Sequence, residues 1–566
     1  MADYLSPGVY VEEYDNSPRG IEGVGTSTAG FVGLAEKGPV SGAPVFVQSF
    51  KAFKQTFGGY LNEFTYGEYR FLANSVEQFF TNGGNRCFVM RVAPSDAEAS
   101  SAEKGLITLK AKNPGVWGDK IQVTLNSVRR RKIQLMEDTD IGYKAKTTEG
   151  LREGDYVEFE GTYTRIKTIM DNMITFEDDL PEKAVDGNII PENVLYVVTF
   201  DMSVRYAEEA ERYADLTFNP ASPQYIGAKL ATSELVDIEI EPMEDAGDPV
   251  EAILGDGETS GAFFLEDGSD GSVSEINAGT FIGEDNGPGK RTGLQAFVEN
   301  SNVNMLAIPG ITIPEVVVSL VGHCEIQRNR FAVIDMPKDY YKPADLVNYR
   351  SMIDSTYAAM YHPWIEVFDP SSNKADFVPP SGAVMGIYAR TDQNRGVHKA
   401  PANETVFCSG LKTNYTKEEQ DLLNPEGINL IRALPGQGIR VWGARTASTN
   451  ATFKYVNVRR LFIYVEESIK ANTNWVVFEP NDSSLWQRVQ LSVSGFLDGL
   501  WRNGMLAGDS PSAGYFVEIG PSTMSRDDIL NGRLICNVGI APSRPAEFVI
   551  FRVTQFTSEA QSGGEG

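Results

Sequence analysis

Apolar residues near the N-terminus follow an alternating pattern of strands and helices. Residues 30–35 (GFVGLA) form a short apolar run that is typical of a buried strand. Gly83 and Gly84 end a helical segment, and RCFVMRV (86–92) follows as a second apolar strand. The positions that share one face of this predicted helix are Tyr69, Leu72, Val76, Phe79 and Phe80. Residues 30–92 are therefore predicted to form an α/β unit.

The same pattern resumes after Gly293. The strands predicted there are NMLAIPG (304–310), RFAVIDMP (330–337) and WIEVFDP (364–370), and the helices are Glu315–Asn329, Ala344–His362, Val458–Ala471 and Asp482–Asn503. Asp482 or Ser483 is the expected N-cap of the last helix, which Gly504 ends. The βαβαβ order at the start of this region favours a largely parallel sheet that is covered by helices.

Between these regions the chain carries short β-prone runs separated by turns. Runs such as DKIQVTLNSV (119–128) and NVLYVVTF (193–200) are typical of a small β-barrel or sandwich. After residue 200 we expect one or two helices and the strand VDIEI (236–240). The acidic, Gly-rich stretch that continues to about Gly289 is expected to form long exposed loops.

These patterns together predict a mixed α/β (α+β) protein with a discontinuous α/β core, and a chain of 566 residues is expected to hold two to four domains. The N-terminal and C-terminal α/β pieces form this core, and β-rich domains are inserted between them. The predicted divisions are an N-terminal linker arm (1–20), a first core segment (21–94), a small β-barrel or sandwich domain (95–200), a second, acidic α+β domain (201–290), a second core segment (291–537), a C-terminal strand arm (538–556) and a disordered tail (557–566).

Both termini carry a segment with strand character. Pro7 and Pro18 bracket the first β-prone run and restrict it to extended or edge positions, and EFVIFRVTQF (547–556) is the second run. Such segments are either ordinary strands of their own domain or strands donated to a neighbour's sheet, and the residues alone leave both open. The candidate donors are Pro7, Gly8, Val9, Tyr10, Val11 and Glu12 in the first arm and Phe548, Ile550, Phe551, Val553 and Phe556 in the second. The candidate hinges after the first arm are Gly20, Gly23 and Gly25, because glycine absorbs large backbone changes.

The net charge of −27 is spread unevenly along the chain. Residues 234–286 hold 16 acidic side chains and no Lys or Arg, whereas residues 425–460 are basic. This separation suggests an oriented particle with two different faces, although the acidic block also serves simply to keep an exposed domain soluble. The candidate partner-binding residues in the basic block are Arg440, Arg445, Arg459 and Arg460.

The cysteines and the apolar runs exclude several classes of protein. Cys87, Cys324, Cys408 and Cys536 lie far apart and form no CxxC motif, which argues against a zinc site and a disulfide scaffold. We expect them to be reduced and buried, as in a protein assembled in a cytoplasm. The start of the chain does not resemble a signal peptide, and the longest apolar runs are too short to span a bilayer, so we expect no membrane insertion.

Motifs for enzymatic chemistry fail when they are tested one by one. Gly289-Lys290 lacks the spacing of a phosphate-binding loop, and Ser512 stands where the second Gly of GxSxG is needed. The three histidines, His323, His362 and His398, are isolated from one another, and residues 266–275 break the spacing of a calcium loop. We predict no catalytic, cofactor-binding or metal-ligating residues.

The stretch from Val378 to Trp442 is dense in Gly, Pro, Asn and Arg but carries no recognisable chemistry, which suggests a surface shaped to fit another surface. Within it, VPPSGAVMGIYARTDQNRGVHKAPAN (378–403) and LNPEGINLIRALPGQGIRVWGART (423–446) resemble the core of contractile phage tail sheath proteins. YVNVRRLFIYVEESI (455–469), the opening YLSPGVYVEE (4–13) and the closing VGIAPSRPAEFVIFRVTQF (538–556) share this resemblance. The resemblance is weak across residues 95–290.

The resemblance implies a structural protein and the partners of such a protein. Sheath subunits donate terminal strands to neighbouring subunits, stack as six-fold rings around an inner tail tube, and contact baseplate and tail terminator proteins. Contraction drives the tube through the target envelope during genome delivery. The resemblance implies a place in the virion tail, assembled in the host bacterial cytoplasm, with no direct contact to nucleic acid. The basic residues named above are candidates for tube-facing or intersubunit contacts.

Two alternatives remain open from the sequence. The same machinery occurs in phage-tail-like bacteriocins and extracellular contractile injection systems, and the residues do not separate these from a complete phage. A more remote alternative is a secreted acidic hydrolase or an adhesin, which a convergent cluster of carboxylates in a deep pocket would indicate.

Overall fold

The structure is a computed structural model that describes residues 20–178, 180, 194–243 and 245–552. Its first elements are β1 (Ala29–Leu34), β2 (Val45–Val47), α1 (Phe50–Phe57), α2 (Glu63–Tyr66), α3 (Leu72–Thr81) and β3 (Cys87–Val92). Ser49 caps α1, since its side-chain oxygen accepts a hydrogen bond from the Ala52 N–H. All six residues of β1 are buried. The strand–helix–strand unit predicted over residues 30–92 is present.

The middle of the chain forms an inserted β-rich region. Its elements are β4 (Ser101–Lys104), β5 (Ile107–Ala111), β6 (Gln122–Thr139), β7 (Gly142–Ala145), β8 (Tyr156–Phe159), β9 (Thr162–Met170), β10 (Met173–Phe176), β11 (Val194–Tyr206), β12 (Glu209–Leu216), α4 (Ile226–Leu230), β13 (Val236–Ile240), α5 (Pro249–Leu254), β14 (Ser260–Phe264) and α6 (Ala278–Ile282). The order β11-β8-β9-β10-β7-β6 closes on itself through the β11–β6 pairing, which makes a small barrel.

Two units share the long strands β6 and β11. Ile133 and Leu195 lie in the barrel core, while Val123 and Phe200, on the other halves of the same strands, lie in a second core. This second core also contains residues of the small sheet β13-β5-β4. A domain boundary at residue 200 would therefore cut through β11. The strand predicted at residues 236–240 is present as β13. The acidic stretch after it, which was expected to form loops, contains α5, β14 and α6.

The second half of the chain returns to the core. Its elements are β15 (Met305–Ala307), α7 (Pro314–Gln327), β16 (Phe331–Asp335), α8 (Pro343–Arg350), β17 (Ala358–His362), β18 (Ile365–Asp369), β19 (Lys374–Val378), α9 (Ser381–Arg395), β20 (Glu404–Thr405), β21 (Gly410–Leu411), α10 (Lys417–Leu423), β22 (Ile428–Leu434), β23 (Gly438–Val441), α11 (Val456–Asn472), α12 (Ser483–Arg502), α13 (Pro511–Gly514), β24 (Tyr515–Ile519), α14 (Arg526–Leu530) and β25 (Cys536–Ile540). The last two long helices lie within two residues of their predicted bounds.

One predicted helix is wrong in its second half. α8 ends at Arg350, and the end of the predicted helix is β17, in which all five residues are buried. A short apolar run has no periodicity that separates a buried strand from a buried helix, and in this protein the run forms a strand of the sheet. The predicted strand that follows, β18, pairs with β19 and β21 in a separate three-stranded sheet instead of the main one.

A nine-stranded sheet joins the two ends of the chain. Its order is β2-β3-β1-β15-β16-β17-β22-β23-β20, and the six strands from β3 to β22 are parallel. The pairing of β1 with β15 unites the N-terminal and C-terminal pieces, so the predicted discontinuous core is confirmed. One face packs on α1, α3 and α9, and the other packs on α7 and α8, as in doubly wound α/β folds.

The Gly-rich segment 378–442 supplies a core helix as well as surface. Ten of the fifteen residues of α9 are buried, which corrects the expectation of a fitted surface along this stretch. A Cβ at Gly382 would lie 2.1 Å from the Ser75 carbonyl oxygen, and one at Gly386 would lie 2.4 Å from that of Phe79. These two glycines therefore let α9 approach α3 closely.

Candidate subunit interface

The C-terminal hairpin is a small sheet with open edges. β24 and β25 pair over five residues each, and among the described residues neither pairs with a third strand beyond this two-stranded sheet. Tyr515, Val517 and Ile519 pack against α12, whereas Phe516 on the other face is 53% exposed. Isolated two-stranded sheets are marginal in water, and open edges accept further strands. The hairpin is therefore a candidate acceptor.

The chain beyond the hairpin exposes four consecutive large apolar residues. Ser543 ties the start of this segment to the end of α12, because its hydroxyl donates to the Gly504 carbonyl at 3.0 Å. Residues 548–551 then form no strand, and the exposed fractions are 71% for Phe548, 69% for Val549, 79% for Ile550 and 86% for Phe551. Large contiguous apolar exposure is typical of an interaction site. The other candidate donors of this arm, Val553 and Phe556, lie outside the described residues.

Glu547 lies directly before these exposed residues and binds a cluster of donors. Arg445 donates to both carboxylate oxygens, at 2.7 and 2.8 Å, and the Asn424 amide and the Tyr455 hydroxyl each donate at 2.8 Å. The Lys454 ammonium lies 3.6 Å away. Partial burial alone would raise the pKa of Glu547, but the hydrogen bonds from Arg445, Asn424 and Tyr455 outweigh it and lower this pKa to about 2.

Glu547 is not among the candidate residues predicted from the sequence. Its signal was an acidic side chain at the start of an otherwise apolar, strand-like segment, EFVIF (547–551). An unpaired carboxylate is unfavourable in such a segment, so its presence indicates a cationic partner elsewhere in the fold.

α11 holds the start of the described chain. The Val24 N–H donates to the Ser468 hydroxyl at 3.1 Å, and the Asn472 amide donates to the Glu22 carbonyl at 2.9 Å. The Arg460 guanidinium donates to the Thr26 carbonyl at 3.0 Å. The candidate donors of the N-terminal arm, Pro7, Gly8, Val9, Tyr10, Val11 and Glu12, lie outside the described residues. The start of α11 also contacts the other arm, since the Asn457 amide donates to the Ser543 carbonyl at 3.3 Å.

The three candidate hinge glycines have different surroundings. A Cβ at Gly20 would meet no atom within 4 Å. A Cβ at Gly23 would lie 2.0 Å from the Tyr464 hydroxyl, and one at Gly25 would lie 2.6 Å from an Arg86 guanidinium nitrogen. Close packing therefore accounts for glycine at positions 23 and 25, and hinge motion stays a prediction that Gly20 suits best.

The four arginines predicted to face the tube or a neighbouring subunit are mostly inside the subunit. Arg445, Arg459 and Arg460 are 7%, 7% and 4% exposed, so they cannot form an open basic surface in the free subunit. Arg460 pairs with Asp392, and the guanidinium of Arg459 stacks 3.6 Å from the Phe453 ring centre. The sequence shows their charge but does not show partners that folding brings to them.

Arg440 is half-buried. Unlike the other three arginines, it forms its described hydrogen bonds only with backbone carbonyls and a side-chain amide. It donates to the Gln437 and Asn403 carbonyls at 3.1 and 2.7 Å. It is therefore the one member of the four candidates with part of its side chain still directed toward solvent.

The ligand crevice usual for a doubly wound sheet is filled by side chains. Such sheets bind ligands at the carboxyl ends of their strands. Here Asp335, at the end of β16, accepts hydrogen bonds from the Gly310 N–H at 3.0 Å and from the Ser381 N–H and hydroxyl at 2.7 and 2.6 Å. A Cβ on Gly310 would lie 2.9 Å from the Phe71 ring. Burial raises the pKa of Asp335 to about 6, which the three hydrogen bonds partly oppose.

The three histidines lie in separate places. His323 lies against Arg330, the His362 ring contacts the Tyr415 hydroxyl at 3.0 Å, and His398 lies beside Gly396. Within residues 20–178, 180, 194–243 and 245–552, no three His, Cys, Asp or Glu side chains are grouped to hold a metal ion. Over the same residues, no helix has both the length and the apolar character needed to cross a membrane.

Comparison with known sequences places the second half of the chain in one family. Residues 286–447 match the phage tail sheath protein central domain, and residues 448–556 match the phage tail sheath C-terminal domain. The tail sheath protein of Burkholderia phage BcepMu is 25% identical over 309 residues, which cover 50% of this chain and 63% of that protein. The tail sheath protein of Escherichia phage P2 is 24% identical over 284 residues, covering 48% of this chain and 69% of that protein. The match thus spans less than two thirds of the Burkholderia phage relative.

Comparison with solved structures extends the likeness of fold to nearly the whole chain. The contracted sheath complex of the extracellular contractile injection system PVC matches with a TM-score of 0.54 and 22% identity, covering 99% of this chain and 100% of that one. A sheath tail protein from Listeria innocua matches with a TM-score of 0.53 and 11% identity, covering 93% and 96%. The matched domains and the relatives agree, and residues 286–556 of this chain belong to the phage tail sheath protein family.

Proposed function

We propose that this protein is the structural subunit of a contractile tail sheath. It polymerises around an inner tail tube and contracts to drive the tube through the target cell envelope during genome delivery. The observation that carries the proposal is that two features occur in one molecule. One is a hairpin with open edges, and the other is an apolar arm that its own chain leaves exposed. The role is architectural and needs no catalytic residue.

Strand donation explains both the open edges of the hairpin and the exposure of the apolar arm. Phe548, Ile550 and Phe551 are exposed in the free subunit. Each large apolar side chain that becomes fully buried contributes about 1.5–3 kcal/mol. Adding this segment as a strand to the hairpin of a neighbouring subunit also satisfies backbone groups at an open edge. The N-terminal arm, with Val9, Tyr10 and Val11, is the second proposed donor, and Gly20 is its proposed hinge.

Donation between neighbours produces a helical polymer. The arm and the acceptor hairpin are different surfaces, so the contact is head-to-tail and propagates instead of closing as a dimer. In the proposed sheath, subunits stack as six-fold rings in a metastable extended state. Contraction repacks the subunits while the strands keep them linked, and a few kcal/mol per subunit suffices because many subunits switch together.

The domain organisation follows from the nested strands. We assign residues 21–94 and 291–540 to the core, since β25 ends at Ile540, and residues 95–290 to an inserted, nested β-rich region. This region carries the acidic block and projects away from the tube in the proposed sheath. The tube contact is assigned to a core surface other than the buried Arg445, Arg459 and Arg460, with Arg440 at its edge.

The further partners are the baseplate and the tail terminator proteins, and the proposed location is the virion tail, assembled in the host bacterial cytoplasm. A second candidate is the sheath of an extracellular contractile injection system. The likeness in fold to the PVC sheath favours it. Both candidates require the same polymer.

Electron microscopy of the protein expressed alone tests the proposal. We expect long hollow tubes from the full chain, and monomers from a variant that lacks residues 1–20 and from one that ends at residue 543. A variant shortened only by residues 557–566 is the matched control and is expected to form tubes. Tubes of equal length from all three shortened chains would overturn strand donation.

A further inference from the structure

The site that binds Glu547 is held in place by groups other than Glu547. The Arg445 N–H donates to the Asn429 side-chain oxygen at 2.7 Å, and the Asn429 amide donates back to the Arg445 carbonyl at 2.8 Å. Asn429 is completely buried. The Arg445 guanidinium also donates to the Asn424 carbonyl at 3.1 Å. Arg445 is therefore oriented before any carboxylate arrives.

An empty site would be unfavourable. The Arg445 side chain is 9% exposed, and Lys454 brings a second positive charge to the same place. Removing the carboxylate would leave a nearly buried guanidinium without a counter-charge, which proteins avoid. The four groups that face the carboxylate, Asn424, Arg445, Lys454 and Tyr455, are called the carboxylate receptor below.

The anchored residue stands at the boundary between attached and exposed chain. Ser543 is tied to Gly504 and Asn457, and Glu547 is tied to the receptor. The four residues that follow are 69–86% exposed. In a strand, side chains alternate between two faces, and a slip of one residue exchanges the faces. Fixing the Glu547 side chain thus fixes where the exposed segment leaves the core and which side chains share a face.

We propose that Glu547 is the positioning residue of the C-terminal arm, and that the receptor of its own chain holds its carboxylate both before and after assembly. The receptor thereby sets the exit point and the register of the strand that follows. The register component of this inference rests on the proposed strand donation. The anchor within the chain does not, because it exists in the free subunit.

Chemical crosslinking tests whether the anchor lies within one chain. A water-soluble carbodiimide joins a carboxylate to an amine without a spacer, and Lys454 lies 3.6 Å from Glu547. We expect the Lys454–Glu547 crosslink in free subunits and in tubes grown from equal amounts of ¹⁵N-labelled and unlabelled protein. All crosslinked peptide pairs should carry a single isotope. Mixed-isotope pairs at the statistical proportion would overturn the intrachain anchor.

Substitution tests whether the anchor positions the arm. We expect Glu547→Gln to raise the concentration needed for tube formation at least tenfold while lowering the melting temperature of the free subunit only slightly. Glu258→Gln, which removes an exposed carboxylate from the inserted region, is the matched control and should have no effect. The exchanged pair Arg445→Glu with Glu547→Arg should recover some of the loss.

The outcomes separate this inference from the proposed function. If the unaltered chain forms no tubes, the proposed sheath fails on this measurement, and the crosslink in the free subunit still decides the anchor. If the unaltered chain and Glu547→Gln form tubes at the same concentration, the sheath proposal stands and the positioning role of Glu547 is overturned. A free subunit that gives no Lys454–Glu547 crosslink would also overturn the anchor.

Discussion

The core sheet and the C-terminal hairpin differ in how completely their strands are paired and covered. In the core, the six parallel strands are paired side by side and helices cover both faces. In the hairpin, two strands of five residues pair only with each other among the described residues, and Phe516 stays half exposed. The core holds what it needs for stability, whereas in the proposed sheath another chain completes the hairpin and the arm beside it. Variants in the two regions should therefore differ in how much they destabilise the free subunit.

Truncation of a large apolar residue should destabilise the two regions to different extents. Phe79 is fully buried on α3 and packs edge-on against Phe31, with ring centres 5.7 Å apart. Phe79→Ala should lower the free energy of unfolding by about 3–5 kcal/mol, because it leaves a cavity in a close-packed core. Phe516→Ala in the hairpin should cost only about 1 kcal/mol, because about half of that side chain is already in solvent. Denaturant unfolding of the free subunits measures both, and equal losses would remove the distinction between the regions.

A buried ion pair holds the chain near Thr26 against the core. Breaking this pair should destabilise the subunit as much as a substitution in the core does. The side chains of Arg460 and Asp392 are each 3% exposed, and Asp392 also accepts a hydrogen bond from the Thr26 hydroxyl at 2.7 Å. Asp392→Asn leaves a buried guanidinium without a counter-charge and should cost about 3 kcal/mol. Glu137→Gln, which breaks the exposed pair with Lys144, is the control and should cost about 0.5 kcal/mol or less. Similar losses for the two variants would contradict this assignment.

These comparisons also show what the sequence could and could not predict. Helices such as α11 and α12 were predictable because their apolar positions recur at helical spacing over many residues and Asp482 caps the second one. The strand β17 was not, because five buried residues in a row carry no period. The positions of Arg459 and Arg460 were not predictable either, because Tyr357 and Asp392, which they contact, lie in distant regions of the chain.

The same limit applies to the candidate interface. The apolar character of residues 548–551 was visible in the sequence and led to the arm hypothesis. The receptor that holds Glu547 was not visible, since Asn424, Arg445 and Tyr455 come together only when β22 and β23 place their flanking loops side by side. A local run of apolar residues is visible in the sequence, but a charge cluster of this kind depends on how the fold brings distant segments together.

Acid should weaken the anchor of the arm. Folding lowers the pKa of Glu547 to about 2 from an ordinary value of 4.5, so the folded chain binds this proton less tightly than the unfolded chain. The resulting stabilisation is complete above about pH 4.5 and is lost as the pH falls toward 2. We expect it to be about 1 kcal/mol, since the carboxylate is only partly buried.

The difference in unfolding free energy between the unaltered chain and Glu547→Gln, measured from pH 6 to pH 2.5, isolates this contribution. The subtraction is needed because Asp335 acts in the opposite direction. Its pKa is raised to about 6, so its protonation on acidification favours the folded chain. A difference that stays constant over the whole range would contradict the assigned role of the Glu547 carboxylate.

The smallest effect on stability should accompany a complete loss of assembly. Phe548 and Ile550 are 71% and 79% exposed in the free subunit, so replacing both by Ser removes almost no buried surface there. We expect a change within about 0.5 kcal/mol in the free energy of unfolding, as for ordinary surface substitutions. The same variant should form no tubes, because the proposed donated strand loses the side chains it would bury in a neighbour. Sedimentation and electron microscopy measure assembly, and the double variant Val318→Ser with Ile326→Ser, on the exposed side of α7, is the matched control. Normal tubes from the Phe548 and Ile550 variant would show that these residues are exposed in the polymer too, and the difference between core and hairpin would then have no role in assembly.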